Sequence, residues 1–164
     1  MSLNFLENNH VVHVAPQTSI TTVDALWAGA GATELYTDVM SLKNADGAVW
    51  IIPITQAATG TASVRICACD NTTPTTTVAV SFRYAMISAP DTILATGEAT
   101  SYLTSTLDDC VYIFEVDASK VAEQGYEYVY LEADVVAGAD TEGAVVGFLT
   151  GLRYKEDDIG TQVT

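Results

Sequence analysis

The chain has 164 residues, 49% of them apolar and 16% charged, with 21 acidic residues against 6 basic ones and a net charge of −15. That length fits one domain with a real core, and the modest charged fraction excludes a disordered acidic tract. The charge itself repels phosphate backbones and anionic lipid, so neither nucleic acid nor a membrane surface is an expected partner. No run approaches the ~20 apolar residues of a membrane span. The opening MSLNFLENNH has neither a basic nor an apolar signal region, so no secretory signal is expected, and the three cysteines read as reduced cytoplasmic thiols rather than a disulfide framework.

Residues 1–9 read as an N-terminal arm, polar apart from Leu3, Phe5 and Leu6. A domain over 10–154 and a polar C-terminal tail over 155–164 follow. Residues 10–15 suit a short strand. Residues 23–32, VDALWAGAGA, suit a loop better than a helix because Gly29 and Gly31 interrupt them. Residues 33–42 form a strand running to a turn at Asp46-Gly47, a strong reversal signal. Residues 48–55 form the next strand, where Pro53 calls for an edge position or a bulge. Residues 61–69 alternate, with Ala62, Val64, Ile66 and Ala68 opposite Ser63, Arg65, Cys67 and Cys69. After a loop tip at Asp70–Pro74 come strands at 76–87 and 92–100.

The stretch from Cys110 to Val136 carries the most information. Cys110, Tyr112, Phe114 and Val116 share one face of a strand, with Val111, Ile113, Glu115 and Asp117 on the other. Asp117 is placed to cap a helical turn over 118–124, and Gly125 to end it in a left-handed conformation. Period two then returns, with Tyr126, Tyr128 and Tyr130 on one side and Val129, Leu131 and Ala133 on the other. A last strand spans 144–154. Eight or nine strands with turns every 8–12 residues predict an all-β fold: a single antiparallel β-sandwich, jelly-roll-like, with one or two short helical turns. The expected inward positions are Val64, Ile66, Val78, Val80, Val111, Ile113, Val129, Leu131, Val145 and Phe148.

Candidate sites fail on spacing. His10 and His13 point to opposite faces of a strand and cannot chelate together. Cys67 and Cys69 share a face that Cys110 can approach only from a neighbouring strand, without a second C-x₂₋₄-C element, so the three read as inert thiols. The acidic groups at Asp108-Asp109, Asp134/Asp140/Glu142 and Glu156-Asp157-Asp158 lack a calcium-loop pattern and read as solvated turns. No nucleophile elbow or complete dinucleotide fingerprint is present. The chemistry expected is therefore no catalysis, no metal and no cofactor. Tyr126, Tyr128 and Tyr130 suit packing or a subunit interface, or else a sugar-stacking platform.

Three segments carry a resemblance: CDNTTP at Cys69–Pro74, YIFEVDASKV…GYEYVYLEAD at Tyr112–Asp134, and GFLTGLRY at Gly147–Tyr154. Together they resemble the small virion structural proteins of tailed bacteriophages, often encoded beside the major capsid protein. Members carry an ECDDTTP-like turn, an IEVDADEL-like strand exit, a GYPYVRV-like strand and a final strand ending in RY. Here Cys69-Asp70-Asn71 replaces the usual turn residues, and Tyr128–Tyr130 stands where Val-Arg is usual. The resemblance implies a non-enzymatic decoration or cement protein on the outer capsid surface of the virion. Its partners would be the major capsid protein and further copies of itself, a trimer ahead of a dimer. Tyr126, Tyr128 and Tyr130 would supply contacts, as would Leu3, Phe5 and Leu6 of the arm, the alternative being that the arm folds over its own sheet. A tail-associated β domain and a carbohydrate-binding module are the competing expectations.

Overall fold

The structure is a computed structural model that describes residues 9–12, 34–56, 61–88, 92–104, 110–137 and 142–152. Two antiparallel sheets pack face to face, as the turn spacing predicts. In chain order the strands are β1 (Asn9–Val12), β2 (Glu34–Tyr36), β3 (Met40–Ser41), β4 (Gly47–Gln56), β5 (Thr61–Cys69), β6 (Thr77–Ala79) and β7 (Phe82–Ser88). There follow β8 (Thr92–Ala99), β9 (Tyr102–Leu103), β10 (Cys110–Asp117), helix α1 (Ala118–Glu123), β11 (Tyr128–Ala137), β12 (Glu142–Gly143) and β13 (Val146–Thr150). One sheet has seven strands in the order β1-β13-β4-β10-β7-β8, with β12 also on β4. The other has six, in the order β2-β11-β5-β6, with β3 on β11 and β9 on β5.

Between them lies one core. Trp50, Ile52, Phe82, Tyr112, Phe114, Val116 and Leu149 from the first sheet meet Met40, Val64, Ile66, Val129 and Leu131 from the second. The aromatic part is tightly coupled: Phe114 stacks parallel to Tyr112 at 6.1 Å and meets Phe82 edge-on at 5.7 Å. Val64, Ile66, Val80, Val129, Leu131 and Val145 are buried as expected.

Val111, Ile113 and Phe148 are not: each is only half-buried, because β10 and β13 turn their other faces inward. Two apolar faces compete on β10. The Cys110/Tyr112/Phe114/Val116 face wins because its aromatic rings fill the gap between sheets, while the Val111/Ile113 face also carries Glu115 and Asp117. Val78, on the short strand β6, is half-buried but faces inward as expected, packed against the main core.

Other departures have local causes. The strand expected over 33–42 is broken into β2 and β3, because Thr37 turns in to bond β11: its Oγ1 accepts from the Leu131 N–H at 2.9 Å, and its N–H donates to the Leu131 carbonyl at 3.0 Å. The strand expected over 76–87 is cut at Val80-Ser81, where the chain leaves β5 and crosses to the other sheet. Pro53 sits in an interior strand, at the point where β13 gives way to β12 and the register shifts, so its missing N–H costs no ladder bond there. The last strand, expected over 144–154, is shorter: β13 spans Val146–Thr150.

Interior strands β10 and β11 are joined through α1. Asp117 occupies the N-cap position with extended backbone but makes no capping hydrogen bond; its carboxylate lies 3.5 Å from Arg83 Nη2 instead. The C-terminal end follows the expectation. Gly125 has φ +82°, its N–H donates to the Ala122 carbonyl and that of Tyr126 to the Val121 carbonyl, a Schellman closure.

Candidate functional site: the outer sheet faces

With the core sealed, the places open to chemistry among the described residues include the outer faces of the two sheets. On the six-stranded sheet, the pairing of β5 with β11 sets Arg65 opposite Glu132, and β2 brings Tyr36 alongside. Arg65 Nη2 donates to Glu132 Oε1 at 2.6 Å and to Asp134 Oδ2 at 2.7 Å, so one guanidinium bridges two carboxylates two residues apart on one strand. Burial works against the Arg65 charge, yet attraction to Glu132 and Asp134 leaves its pKa above the ordinary value.

The Cys67 thiol lies beside this fork and donates to Glu132 Oε2 at 3.3 Å. Burial, reinforced by that bond and the Glu132 charge, pushes Cys67 up to about 12; burial and then the Asp70 charge push Cys69 up to about 11. Both are protonated at neutral pH and poor nucleophiles. Cys110 lies in the main core between the sheets, whereas Cys67 and Cys69 pack with Val39 and Tyr130 on the outer side, so the three cannot share a metal. Among the described residues no group of three or more His, Cys, Asp or Glu side chains is placed to hold a metal ion.

Next to the fork is a depression of about 260 Å³ lined by Tyr36, Thr37, Val39, Pro74, Thr77 and Tyr130. Tyr36 and Tyr130 meet there at 6.1 Å with their planes inclined by 52°. Tyr130 is only 7% exposed, and burial with its closeness to Cys67 raises its hydroxyl to about 12. The three-tyrosine row expected from the sequence is therefore not one surface. Tyr128 and Tyr130 share the outer face, but Tyr126 still belongs to the helix exit and packs against the main core. Leu3, Phe5, Leu6 and His13 lie outside the described residues, as do Asp108, Asp109, Asp140, Glu156, Asp157 and Asp158. His10 lies on β1 and Glu142 on β12.

The Asp70 loop has a clear local logic. The Asp70 carboxylate accepts from the Thr75 hydroxyl at 2.6 Å and from the N–H groups of Thr75 and Thr76 at 3.0 and 3.2 Å, and Asn71 Oδ1 accepts from the Thr73 N–H at 2.7 Å. These bonds, the Thr75 hydroxyl first, lower the Asp70 carboxyl to about 2. The loop closes the β5–β6 hairpin and is satisfied from within.

No family model, curated protein or solved structure matches the chain. The functional reading rests on the motifs and the geometry.

The seven-stranded sheet presents a different outer face. Registers across β4, β10, β7 and β8 align Ile51, Ile113, Ala85 and Thr96 in one row and Pro53, Val111, Ile87 and Ile93 in the next. A third row runs Val49, Glu115, Arg83, Glu98. Arg83 bonds Glu115 at 3.2 Å and, with Ser81, Glu98, Asp117 and Lys120, lines a polar depression of about 260 Å³. Sequence reading missed both the Arg65 fork and this apolar face. The signal for the second was present, since β10 is apolar at every position from Cys110 to Phe114.

Proposed function

We propose that the chain is a non-enzymatic structural protein of a tailed-bacteriophage virion, a decoration or cement protein on the outer surface of the capsid, with the jelly-roll-like sandwich common to that reading. One observation carries it: the longest segment of the resemblance, Tyr112–Asp134, is the β10–α1–β11 crossover that joins interior strands of the two sheets. The CDNTTP segment is the Asp70-braced hairpin, and GFLTG supplies β13. The likeness thus lies in the joints of the fold rather than in scattered surface residues. It is supported further by the fork at Arg65, whose single guanidinium ties down two carboxylates and whose neighbouring thiol stays protonated, an arrangement suited to holding a sheet and not to turnover. A sugar-stacking role loses its platform with Tyr130 buried and Tyr126 turned to the core.

The partners in this reading are the major capsid protein and further copies of the chain. Adding purified protein to capsids that lack it, and imaging them by electron cryomicroscopy, tests the proposal. Stoichiometric density on the outer capsid surface is the expected result. Density on tails alone, or none, refutes it. Deleting residues 1–9 in the same assay tests the arm: reduced occupancy by a folded truncation is expected if Leu3, Phe5 and Leu6 make contacts.

A further inference from the structure

We propose that the outer face of the seven-stranded sheet is a self-association surface, on which two copies of the chain pack sheet against sheet about a two-fold axis. The two central rows, led by Ile51, Ile113, Pro53, Val111, Ile87 and Ile93, contain no charged residue and no side chain more polar than Thr96. Ile93 is 62% exposed, and the other five are only half-buried. The opposite side of these strands is already occupied by the six-stranded sheet. The two sheets and α1 are the described elements, and none lies across this face.

Size and charge together select the occupant. Strands about 4.8 Å apart and same-face residues about 6.8 Å apart give the two apolar rows on four strands a flat footprint of roughly 260 Å², and roughly 400 Å² with the charged row included. The whole is about half the ~800 Å² a standard interface buries per partner. A weak, reversible dimer is the consequence, micromolar rather than nanomolar.

Two chains of net charge −15 meet most readily where their repulsion is locally reduced. This face is bordered by such a place. The strip at Arg83, Lys120, Glu98, Glu115 and Asp117 sets two cations against three carboxylates, whereas the whole chain sets 6 against 21. A mixed-charge strip beside an apolar field is self-complementary across a two-fold: Arg83 of one copy can face a carboxylate of the other. A strongly basic partner finds no matching field there. Because the face pairs with itself, the unit it builds is a dimer, not the trimer that multivalent attachment alone would favour. The proposal stands independently of the capsid reading.

Sedimentation velocity on the full-length protein over a concentration series tests it, with Ile113→Glu, Ile93→Glu and, as control, Leu103→Glu on the outer face of the other sheet. The wild type should shift from monomer to dimer in the micromolar range. Ile113→Glu should weaken dimerisation about 100-fold and Ile93→Glu about 10-fold, since each places an unpaired carboxylate against apolar side chains. Leu103→Glu should leave it unchanged. Ile93 is exposed on an edge strand, so its variant decides the question if Ile113→Glu does not fold. A wild type monomeric at about 100 µM, or a dimer that survives both isoleucine substitutions, or one broken by Leu103→Glu, overturns the proposal. So does a monomer destabilised by Ile93→Glu, which would assign the face to the chain's own packing.

Discussion

Phe114 and Val111 lie three residues apart on β10 and face opposite ways, so truncating each to alanine measures which side of the strand is the core. Phe114 is fully buried, stacked on Tyr112 and edge-on to Phe82, with Tyr102 at 5.9 Å. Removing a ring so enclosed leaves a cavity that the paired sheets cannot close, and costs about 4 kcal/mol. Val111 is half-buried on the outer face, and its truncation costs about 1 kcal/mol, from partial burial and strand preference. At this chain length each kcal/mol moves the melting temperature by about 2–4 °C. Phe114→Ala should therefore lower it by about 8–16 °C and Val111→Ala by about 2–4 °C. Thermal circular dichroism on dilute protein, where self-association is absent, reads both. Equal shifts, or a larger one for Val111→Ala, would refute the inward assignment of the aromatic face and with it the sandwich register.

Three further outcomes follow from the geometry. Asp70→Asn should lower stability by a constant amount above about pH 4 and match the wild type in strong acid: with the carboxyl lowered from 3.8 to about 2, its contribution is present above about pH 4 and is lost as the pH falls through 2, so an acid titration should show the wild type falling toward the variant over that window, with no difference in slope at neutral pH. Native Cys67 and Cys69 should resist iodoacetamide at pH 8 and react fully on unfolding; because the folded thiols hold their protons to about 12 and 11 while unfolded ones ionise near 9, stability should fall as the pH rises above 9. Gly125→Ala should cost about 1–2 kcal/mol in chemical denaturation through its left-handed backbone alone, since a β-carbon there meets nothing within 4 Å.

Strand positions were largely legible because turn residues punctuate the chain at short intervals, and the 110–137 unit was legible down to its glycine. Facing was not legible where both faces of a strand are apolar. On β10 the deciding clue was the company Val111 and Ile113 keep, since Glu115 and Asp117 share their side. Tyr126 was misplaced because period two was extended back through residues that still close the helix. The Arg65 fork joins residues 67 and 69 positions apart, and only the register between β5 and β11 brings them together. Residue spacing carries no trace of such a register.

The α1 crossover also dictates the order in which the chain can fold as it leaves the ribosome. β10 is the strand that bridges β4 to β7, and β11 the one that bridges β5 to β2 and β3. At a synthesis rate of about 5–20 residues per second, β2 to β8 wait several seconds for these two strands, and hold no more than local hairpins such as β5–β6 and β7–β8 meanwhile. The centres of both sheets then become completable almost at once, from one short stretch of new polypeptide, and β12 and β13 add the remaining edge that carries β1. The nascent chain thus passes through an interval with long apolar strands displayed and no template to receive them, which is when crowding among identical chains on one messenger is most hazardous.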